Sequence, residues 1–363
     1  MTTTTVRPDA HHDSDLTRSR ATAVARSAAI EAQIRTDPSR HRVLTGDRPT
    51  GPLHLGHLFG SLRNRVRLQE AGVTTFIVIA DYQVITDREV ADHIASDVCE
   101  IICDQLACGM DPQRSTFFAH SAIPELNQLM LPFLSLTSVA ELQRNPTVKA
   151  EAEAAGIRSL SGLLLTYPVH QAADILAVGG TVVPVGLDQL PHLEATRLIA
   201  RRFNDRYGHV FTEPDALLSE APVVLGLDGQ KMSKSRNNAI QLRHTADQTR
   251  QLIRSARTDS QRRISYDPVN RPGVSNLLLI TSLCTDEAPE VIAERIGDAG
   301  AGELKRVACD AVNEHLAGLR ARRADFAAAG QDVLQVVRDG NVRVRAQATE
   351  MLERVREAMG TVY

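Results

Sequence analysis

The chain has 363 residues, 43% of them hydrophobic and 23% charged, which is the composition of a folded globular protein long enough for two domains. Its net charge of −3 excludes a general polyanion binder, so any nucleic-acid contact has to come from local basic patches. No apolar run reaches the roughly 18 residues of a membrane-spanning helix, and the five cysteines form no CxxC pair. These features indicate a cytoplasmic protein with reduced thiols and with neither a membrane nor a DNA partner.

The N-terminal half begins with an arm and then a strand–helix–strand unit. Residues 1–40 are predicted to form the arm, with a short helix at Ala21–Ile34 and about the first 20 residues disordered. A strand at His41–Thr45 leads to a helix from about His57 to Glu70, and the apolar strand Thr74–Ala80 follows. A continuous apolar strand is typical of a parallel sheet that is covered on both faces.

The alternation of helices and strands continues as far as residue 245. Its predicted elements are the helix Val90–Cys108, the strand Thr116–Ala119, the helix Glu125–Leu136, the strand Thr181–Val185 and a helix that begins near Asp188. We expect an insertion at about 145–180, whose Ala/Glu-rich part, Asn145–Gly162, is predicted to be mobile.

After Ala246 the pattern is that of amphipathic helices alone. Breaks are predicted at Pro272-Gly273, Gly297–Gly302 and Asp339-Gly340. The sequence therefore predicts an α/β domain with a parallel sheet at 41–245, followed by an all-α domain at 246–363.

The first chemical motif is His54-Leu55-Gly56-His57, at the predicted start of a helix. The glycines around it form neither a dinucleotide-binding fingerprint nor a P-loop, which argues against both of those classes. The N–H groups at a helix start attract phosphate, and two imidazoles would add donors to an α-phosphate that gains charge. The alternative is a pair of ordinary surface histidines.

The second motif is the loop Lys231-Met232-Ser233-Lys234-Ser235, which follows a turn at Gly226–Gly229. Lysine is a mobile point charge that can follow a leaving pyrophosphate, although a solvated charged loop is the alternative. Together the two motifs predict an ATP site, with histidines on the α-phosphate side and lysines on the β,γ-phosphate side.

This pair of motifs resembles the signature of the class I aminoacyl-tRNA synthetases. The residues between and after them resemble tryptophanyl-tRNA synthetases over about residues 42–361, in the motifs Thr166-Tyr167-Pro168, Gln171–Leu176, Val183–Gln189, His192-Leu193-Glu194, Thr258-Asp259-Ser260 and Pro272–Leu277. The resemblance implies a Rossmann-like catalytic domain and a helical domain that binds the tRNA anticodon. It also implies activation of L-tryptophan by ATP with Mg²⁺, transfer to tRNA(Trp), a homodimer and no metal site of its own. The alternatives are a paralogue that binds tryptophan for a regulatory or partner-binding role, and another adenylyltransferase of the superfamily.

Asp174 lies in an otherwise apolar helical run, where an unpaired carboxylate would be costly. One reading is a structural salt bridge. The other is an acceptor for the indole N–H, which is only a donor.

The resemblance implies roles for further residues. Tyr167 and Gln189 would hold the substrate ammonium, with Gln171 beside them and Leu44, Val183 and Val185 along the ring. The catalytic groups would be His54, His57, Lys231, Lys234 and Lys149. ATP would contact Arg48, Pro49, Thr50, Gly56, His57, Gly186, Leu187, Asp188, Val224, Lys231, Met232, Ser233, Lys234 and Ser235, with Gly186 and Asp188 at the ribose and Val224 near the adenine.

The chain departs from the family pattern at three places: in its complete HLGH motif, at Leu187, and at the pocket residues Gln171 and Tyr82-Gln83. The pocket changes suggest a divergent or auxiliary bacterial form. The C-terminal helices contain six arginines that form either a solvated charged face or a surface for tRNA phosphates. They are Arg320, Arg322, Arg323, Arg338, Arg343 and Arg345.

Overall fold

The computed structural model describes residues 10–86, 92–154, 156, 159–219, 223–233, 236–329 and 332–363. Among these residues, none of the helices has the length and apolarity that crossing a membrane requires. The strands are β1 Arg42–Asp47, β2 Thr74–Ile79, β3 Ser115–Ala119, β4 Val182–Val185 and β5 Asp215–Leu218. They form a parallel sheet in the order β3-β2-β1-β4-β5, which confirms the predicted α/β class.

Helices connect the strands and make up the C-terminal part. The first seven are α1 Ala10–Thr36, α2 Leu55–His57, α3 Arg63–Glu70, α4 Ile94–Ala107, α5 Pro124–Leu134, α6 Val139–Arg144 and α7 Pro146–Ala154. The others are α8 Gly162–Ala177, α9 Leu190–Tyr207, α10 Ala246–Ser255, α11 Pro272–Thr285, α12 Pro289–Ile296, α13 Gly300–Ala329 and α14 Asp332–Met359. A π-helical segment, Leu58–Leu62, joins α2 to α3.

The strand order indicates where this sheet would bind a ligand. Strand β1 has β2 on one side and β4 on the other. The chain therefore adds β2 and β3 on one side of β1, and then adds β4 and β5 on the opposite side. In such sheets ligands bind beyond the carboxyl ends of the strands at the point where the direction reverses. The segments after β1 and after β4 are the two sequence motifs that contain His54 and Gly186.

Strand β5 was not predicted, because Asp215–Leu218 has only four residues and starts with an acidic one. Helix α1 is longer than the predicted Ala21–Ile34, and it packs against β5. The Ser27 hydroxyl accepts a hydrogen bond from Leu218 N at 2.9 Å, and Ile30 is buried in one cluster with Leu217. The prediction of disorder was wrong for residues 10–20, which belong to α1, and residues 1–9 of that segment lie outside the described residues.

The C-terminal helix α14 contains no break at Asp339-Gly340, so that prediction was wrong. The glycine is needed for contact instead. A Cβ on Gly340 would lie 1.7 Å from the carbonyl oxygen of Phe117 in β3. The next residue, Asn341, accepts a hydrogen bond from Ala119 N at 2.9 Å, which satisfies a donor at the edge of the sheet.

We expect Gly340→Ala to lower the free energy of unfolding by about 1–3 kcal/mol, because the added methyl has to push α14 away from β3. Gly302→Ala is the matched control, since a Cβ there meets nothing within 4 Å and alanine favours a helix by up to about 1 kcal/mol over glycine. Urea unfolding of both variants checks the prediction, and equal stabilities would contradict it.

Candidate functional site

The HLGH segment builds its own helix start. His54 is the N-cap of α2, and its Nδ1 accepts a hydrogen bond from Gly56 N at 3.1 Å. His57 reaches back, and its Nδ1 accepts from His54 N at 3.2 Å. This is a capping box made by two histidines. Because both Nδ1 atoms are acceptors, each neutral ring carries its proton on Nε2, and both rings are donors at that atom.

The KMSKS segment lies on a tight hairpin. Gly226 N donates to Gln230 O at 2.7 Å, and Leu225 pairs with Lys231 across the hairpin. Gly229 has a φ of 81°, which favours glycine at this turn. Lys231 is exposed and Met232 is buried, whereas Lys234 and Ser235 lie outside the described residues.

Asn238 holds this hairpin from inside. Its side chain is buried; Oδ1 accepts from Ser233 N at 2.8 Å, and Nδ2 donates to the Asp228 carboxylate at 2.8 Å and to Lys231 O at 3.1 Å. Hydrogen bonds from Gln230 N and from Asn238 lower the pKa of Asp228. One amide therefore fixes the backbone on both sides of Met232.

The HLGH region pairs through its backbone with the stretch that follows KMSKS. Leu55 N donates to Ile240 O at 3.0 Å, and Leu242 N donates to Leu53 O at 2.9 Å. The Met232 sulfur lies 3.5 Å from the position that a Cβ on Gly56 would take. Met232 therefore lies beside the HLGH turn, although most strands of the sheet separate the two motifs in the sequence.

We expect Asn238→Ala to lower the free energy of unfolding by about 1–3 kcal/mol, since Ser233 N–H and Lys231 C=O lose their partner. The affinity for a non-hydrolysable ATP analogue should fall about tenfold if the loop holds phosphate. Calorimetric titration measures that affinity. Asn270→Ala, which removes an exposed hydrogen bond on another turn, should leave it unchanged, and an unchanged Asn238 variant would contradict the prediction.

Asp174 on α8 is buried, with 2% of its side chain exposed. Its Oδ2 lies 2.8 Å from Nε2 of His120, which is fully buried. Its Oδ1 is also buried and has no hydrogen-bond partner. Oδ2 therefore forms the structural salt bridge, while Oδ1 can accept a hydrogen bond from a ligand.

A second chain of polar groups lies near it. His192 Nδ1 lies 2.7 Å from Gln171 Oε1, and His192 Nε2 lies 3.2 Å from the Tyr167 hydroxyl. Because the amide oxygen only accepts, Nδ1 carries the ring proton, and the Tyr167 hydroxyl has a second hydrogen-bond partner in the Glu151 carboxylate. Burial and the Glu151 carboxylate raise the pKa of Tyr167 above its ordinary value, so its hydroxyl stays neutral.

The remaining predicted residues divide between the strand ends and the surrounding loops. Leu44 and Val183 belong to one buried cluster, against which Val185 packs. Val224 shares the other large cluster with Leu55 and Met232.

Other predicted contacts sit on the turns. Gly186 follows β4, and Leu187–Gln189 form a 3-10 turn; the side chain of Asp188 lies outside the described residues. Pro49 is buried, whereas Arg48 and Thr50 are half-buried in the loop after β1. Lys149 is exposed on α7, in the predicted mobile segment, of which residues 155, 157 and 158 are not described.

Three of the C-terminal arginines lie on α13 and contact neighbouring helices. Arg323 pairs with Glu100 and Asp104, and Arg322 donates to the Ala107 carbonyl. Arg320 donates to Asn313 and Thr249. These bonds hold α13 against α4 and α10, which favours a structural role for the three. Arg345 pairs with Glu125, whereas Arg338 and Arg343 are exposed.

The sequence did not single out His120 or Asn238. His120 follows β3 in a segment without any motif. The only available signal was its position at the carboxyl end of β3, a strand that lies beside β2 in the sheet. Asn238 follows the KMSKS string by three residues, and an amide after a phosphate-binding loop was the available signal.

Known proteins resemble this chain over most of its length. The family described as class I tRNA synthetases (W and Y) matches residues 36–317. The tryptophan–tRNA ligase of Treponema pallidum is 42% identical over 326 residues, which cover 88% of this chain and 96% of the relative. That of Clostridium longisporum is 40% identical over 331 residues, covering 88% and 97%. The solved tryptophanyl-tRNA synthetase of Campylobacter jejuni, complexed with ADP and tryptophan, has a TM-score of 0.78 at 31% identity and covers 88% of this chain and 99% of its own.

Proposed function

The chain belongs to the family of class I tRNA synthetases for W and Y, and from that premise we propose that it is a tryptophan–tRNA ligase. It activates L-tryptophan with ATP and transfers the product to tRNA(Trp). The observation that carries the proposal is the backbone pairing of the HLGH region with the stretch that follows KMSKS, through Leu55 with Ile240 and Leu242 with Leu53. This pairing supports an ATP site in which donors of both motifs lie together at the reversal point of the sheet.

In the first step the tryptophan carboxylate attacks the α-phosphorus. An oxygen–phosphorus bond forms, the bond to the β-phosphate oxygen breaks, and pyrophosphate leaves with its electron pair. A carboxylate is already a nucleophile, so the step needs no general base, and catalysis rests on positioning and charge stabilisation.

The histidines and lysines have separate roles in that step. His54 and His57 present Nε2–H donors to the α-phosphate as its charge grows. Lys231 and Lys234 follow the β- and γ-phosphates, and Lys149 reaches them from α7. Arg48, Pro49 and Thr50 line the entrance, together with Gly56, Met232, Ser233 and Ser235.

Nucleoside and amino acid lie on either side of the β1–β4 reversal point. Gly186, Leu187 and Asp188 face the ribose, and Val224 lies near the adenine. Tyr167 and Gln189 hold the ammonium, with Gln171 positioned by His192, and Leu44, Val183 and Val185 contact the ring. The buried Oδ1 of Asp174 accepts the indole N–H, and an amino acid without that donor leaves it unpaired.

Mg²⁺ accompanies the nucleotide. It prefers oxygen ligands and binds proteins through few carboxylates and the substrate's phosphates. The groups at the two segments are imidazoles, ammonium groups and amides, and Asp228 is held by Gln230 N and Asn238. The phosphates of ATP would therefore supply protein-independent ligands, and the metal would neutralise charge on the pyrophosphate.

The second step transfers tryptophan to the terminal ribose of tRNA(Trp), releasing AMP. Exposed Arg338 and Arg343 on α14 are the candidate phosphate contacts, and the domain at 246–363 binds the anticodon. The active form is a cytoplasmic homodimer.

Charging of tRNA tests the whole proposal. Purified protein, ATP, Mg²⁺ and labelled tryptophan should give acid-stable labelling of total bacterial tRNA, with no labelling from tyrosine. Tryptophan-dependent ATP–pyrophosphate exchange without any charging would instead indicate the regulatory paralogue.

A further inference from the structure

The His120–Asp174 pair carries two unsatisfied atoms. His120 lies on a 3-10 turn, His120–Ala122, directly after β3. Its Nε2 bonds Asp174 Oδ2, while Nδ1 of His120 and Oδ1 of Asp174 are buried without partners. Buried polar atoms are normally satisfied, and each exception calls for a reason. An atom that only accepts, such as Oδ1, is explained by a ligand that supplies one N–H.

Geometry makes Asp174 depend on His120. A carboxylate on a helix can rotate about its side-chain torsions. The 2.8 Å bond from Oδ2 to Nε2 of His120 stops this rotation and so fixes the position of Oδ1. The bond also supplies the donor that offsets part of the desolvation of a buried carboxylate.

We propose that His120 is a positioning residue, which holds Asp174 so that Oδ1 accepts the indole N–H, and that the pair together selects an amino acid whose ring carries a donor. This inference rests on the proposed tryptophan specificity. It assigns part of that specificity to a residue on the turn after β3, outside every sequence motif.

The charged and titratable groups around His120 are consistent with this role. Burial opposes protonation of His120, but the charge and hydrogen bond of Asp174, with Asp81 behind it, raise its pKa. Burial lowers the pKa of His170, whose ring meets that of His120 edge-on at 4.6 Å. His170 therefore stays neutral and packs, and the raised pKa of His120 favours a ring that donates from Nε2 to the carboxylate.

The same three side chains are the one group with metal-ligand spacing in the described part of the chain. A metal ligated by both Nε2 of His120 and Oδ2 of Asp174 would have to replace the proton between them. Their separation is that of a hydrogen bond, so we argue for the hydrogen bond and make the metal an outcome of the test.

The test compares two ligands on three variants of the full chain. Tryptophan and β-(3-benzothienyl)alanine have similar shapes, but sulfur replaces the N–H in the second. Their dissociation constants are measured by equilibrium dialysis with the wild type, His120→Gln, His120→Asn and His120→Leu. Glutamine places an amide N–H where Nε2 lies, whereas asparagine is too short to do so.

We expect His120→Leu and His120→Asn to weaken tryptophan binding by about 10- to 100-fold, the range of a hydrogen bond to a charged group. His120→Gln should stay within about threefold of the wild type, and no variant should change binding of the sulfur analogue by more than that. If the leucine variant fails to fold, the glutamine and asparagine variants decide.

Three results would overturn the inference. These are equal losses for both ligands, equal affinities of the glutamine and asparagine variants, or weaker tryptophan binding by wild type dialysed against a chelator, which would indicate a bridging metal. Because binding is measured without turnover, the test is separate from the proposed activity. Wild type that binds tryptophan through this pair, but catalyses no ATP–pyrophosphate exchange, would sink the ligase and leave the pair standing.

Discussion

Replacing His57 by alanine is expected to lower kcat for tryptophan-dependent ATP–pyrophosphate exchange by about 100- to 1,000-fold, the effect of removing one preorganised donor to a developing charge. The KM for ATP should change little, because the Nε2–H bond strengthens as the α-phosphate gains charge. Steady-state exchange kinetics with varied ATP measure both constants.

His57 also caps α2, so the two roles have to be separated. In His57→Asn the amide oxygen can still accept from His54 N, while the donor at the Nε2 position is lost. We expect this variant to regain the stability that His57→Ala loses, about 0.5–2 kcal/mol, without regaining activity. His209→Ala, at an exposed histidine outside the site, should match the wild type. A His57→Asn enzyme of normal kcat would show that capping alone explains the histidine.

Replacing Asp174 by asparagine is expected to raise the KM for tryptophan by about 10- to 100-fold, because a charged acceptor for the indole N–H is lost. The KM for ATP should stay within about threefold, since the nucleotide is held by other segments. Varying each substrate in the exchange assay gives both values.

The matched control is Asp215→Asn on β5, which breaks a carboxylate–guanidinium pair with Arg197 of α9 and touches no predicted pocket residue. It should alter stability without altering either KM. Unchanged tryptophan KM in Asp174→Asn would assign the carboxylate to the salt bridge with His120 alone. The chain contains no tryptophan, so the substrate is the only indole fluorophore, and the change in its emission on binding can be followed in every variant.

Local strings made the chemistry of this chain readable from sequence. HLGH and KMSKS each lie on a few consecutive residues, and the apolar run at β2 is long enough to predict a parallel sheet that is covered on both faces. Asp174 was readable for a related reason, since a carboxylate in an apolar helix is costly without a partner.

Contacts between distant segments were not readable. The pairing of Leu55 with Ile240 and of His120 with Asp174 depends on the strand order, which no local pattern encodes. Gly340 is a further residue whose role depends on a contact between distant segments. A glycine in a helical pattern favours a break, yet here it admits the backbone of β3, and only the tertiary contact separates these two explanations.

ATP–pyrophosphate exchange with tryptophan against tyrosine tests the central claim most directly, namely that the paired HLGH and KMSKS segments and the Asp174 pocket together make tryptophanyl-adenylate. We predict that wild-type protein incorporates labelled pyrophosphate into ATP when tryptophan is present, and that tyrosine at the same concentration supports no exchange above background. Exchange with tyrosine equal to that with tryptophan would contradict the assignment of Asp174, and exchange with neither amino acid would contradict the ATP site itself.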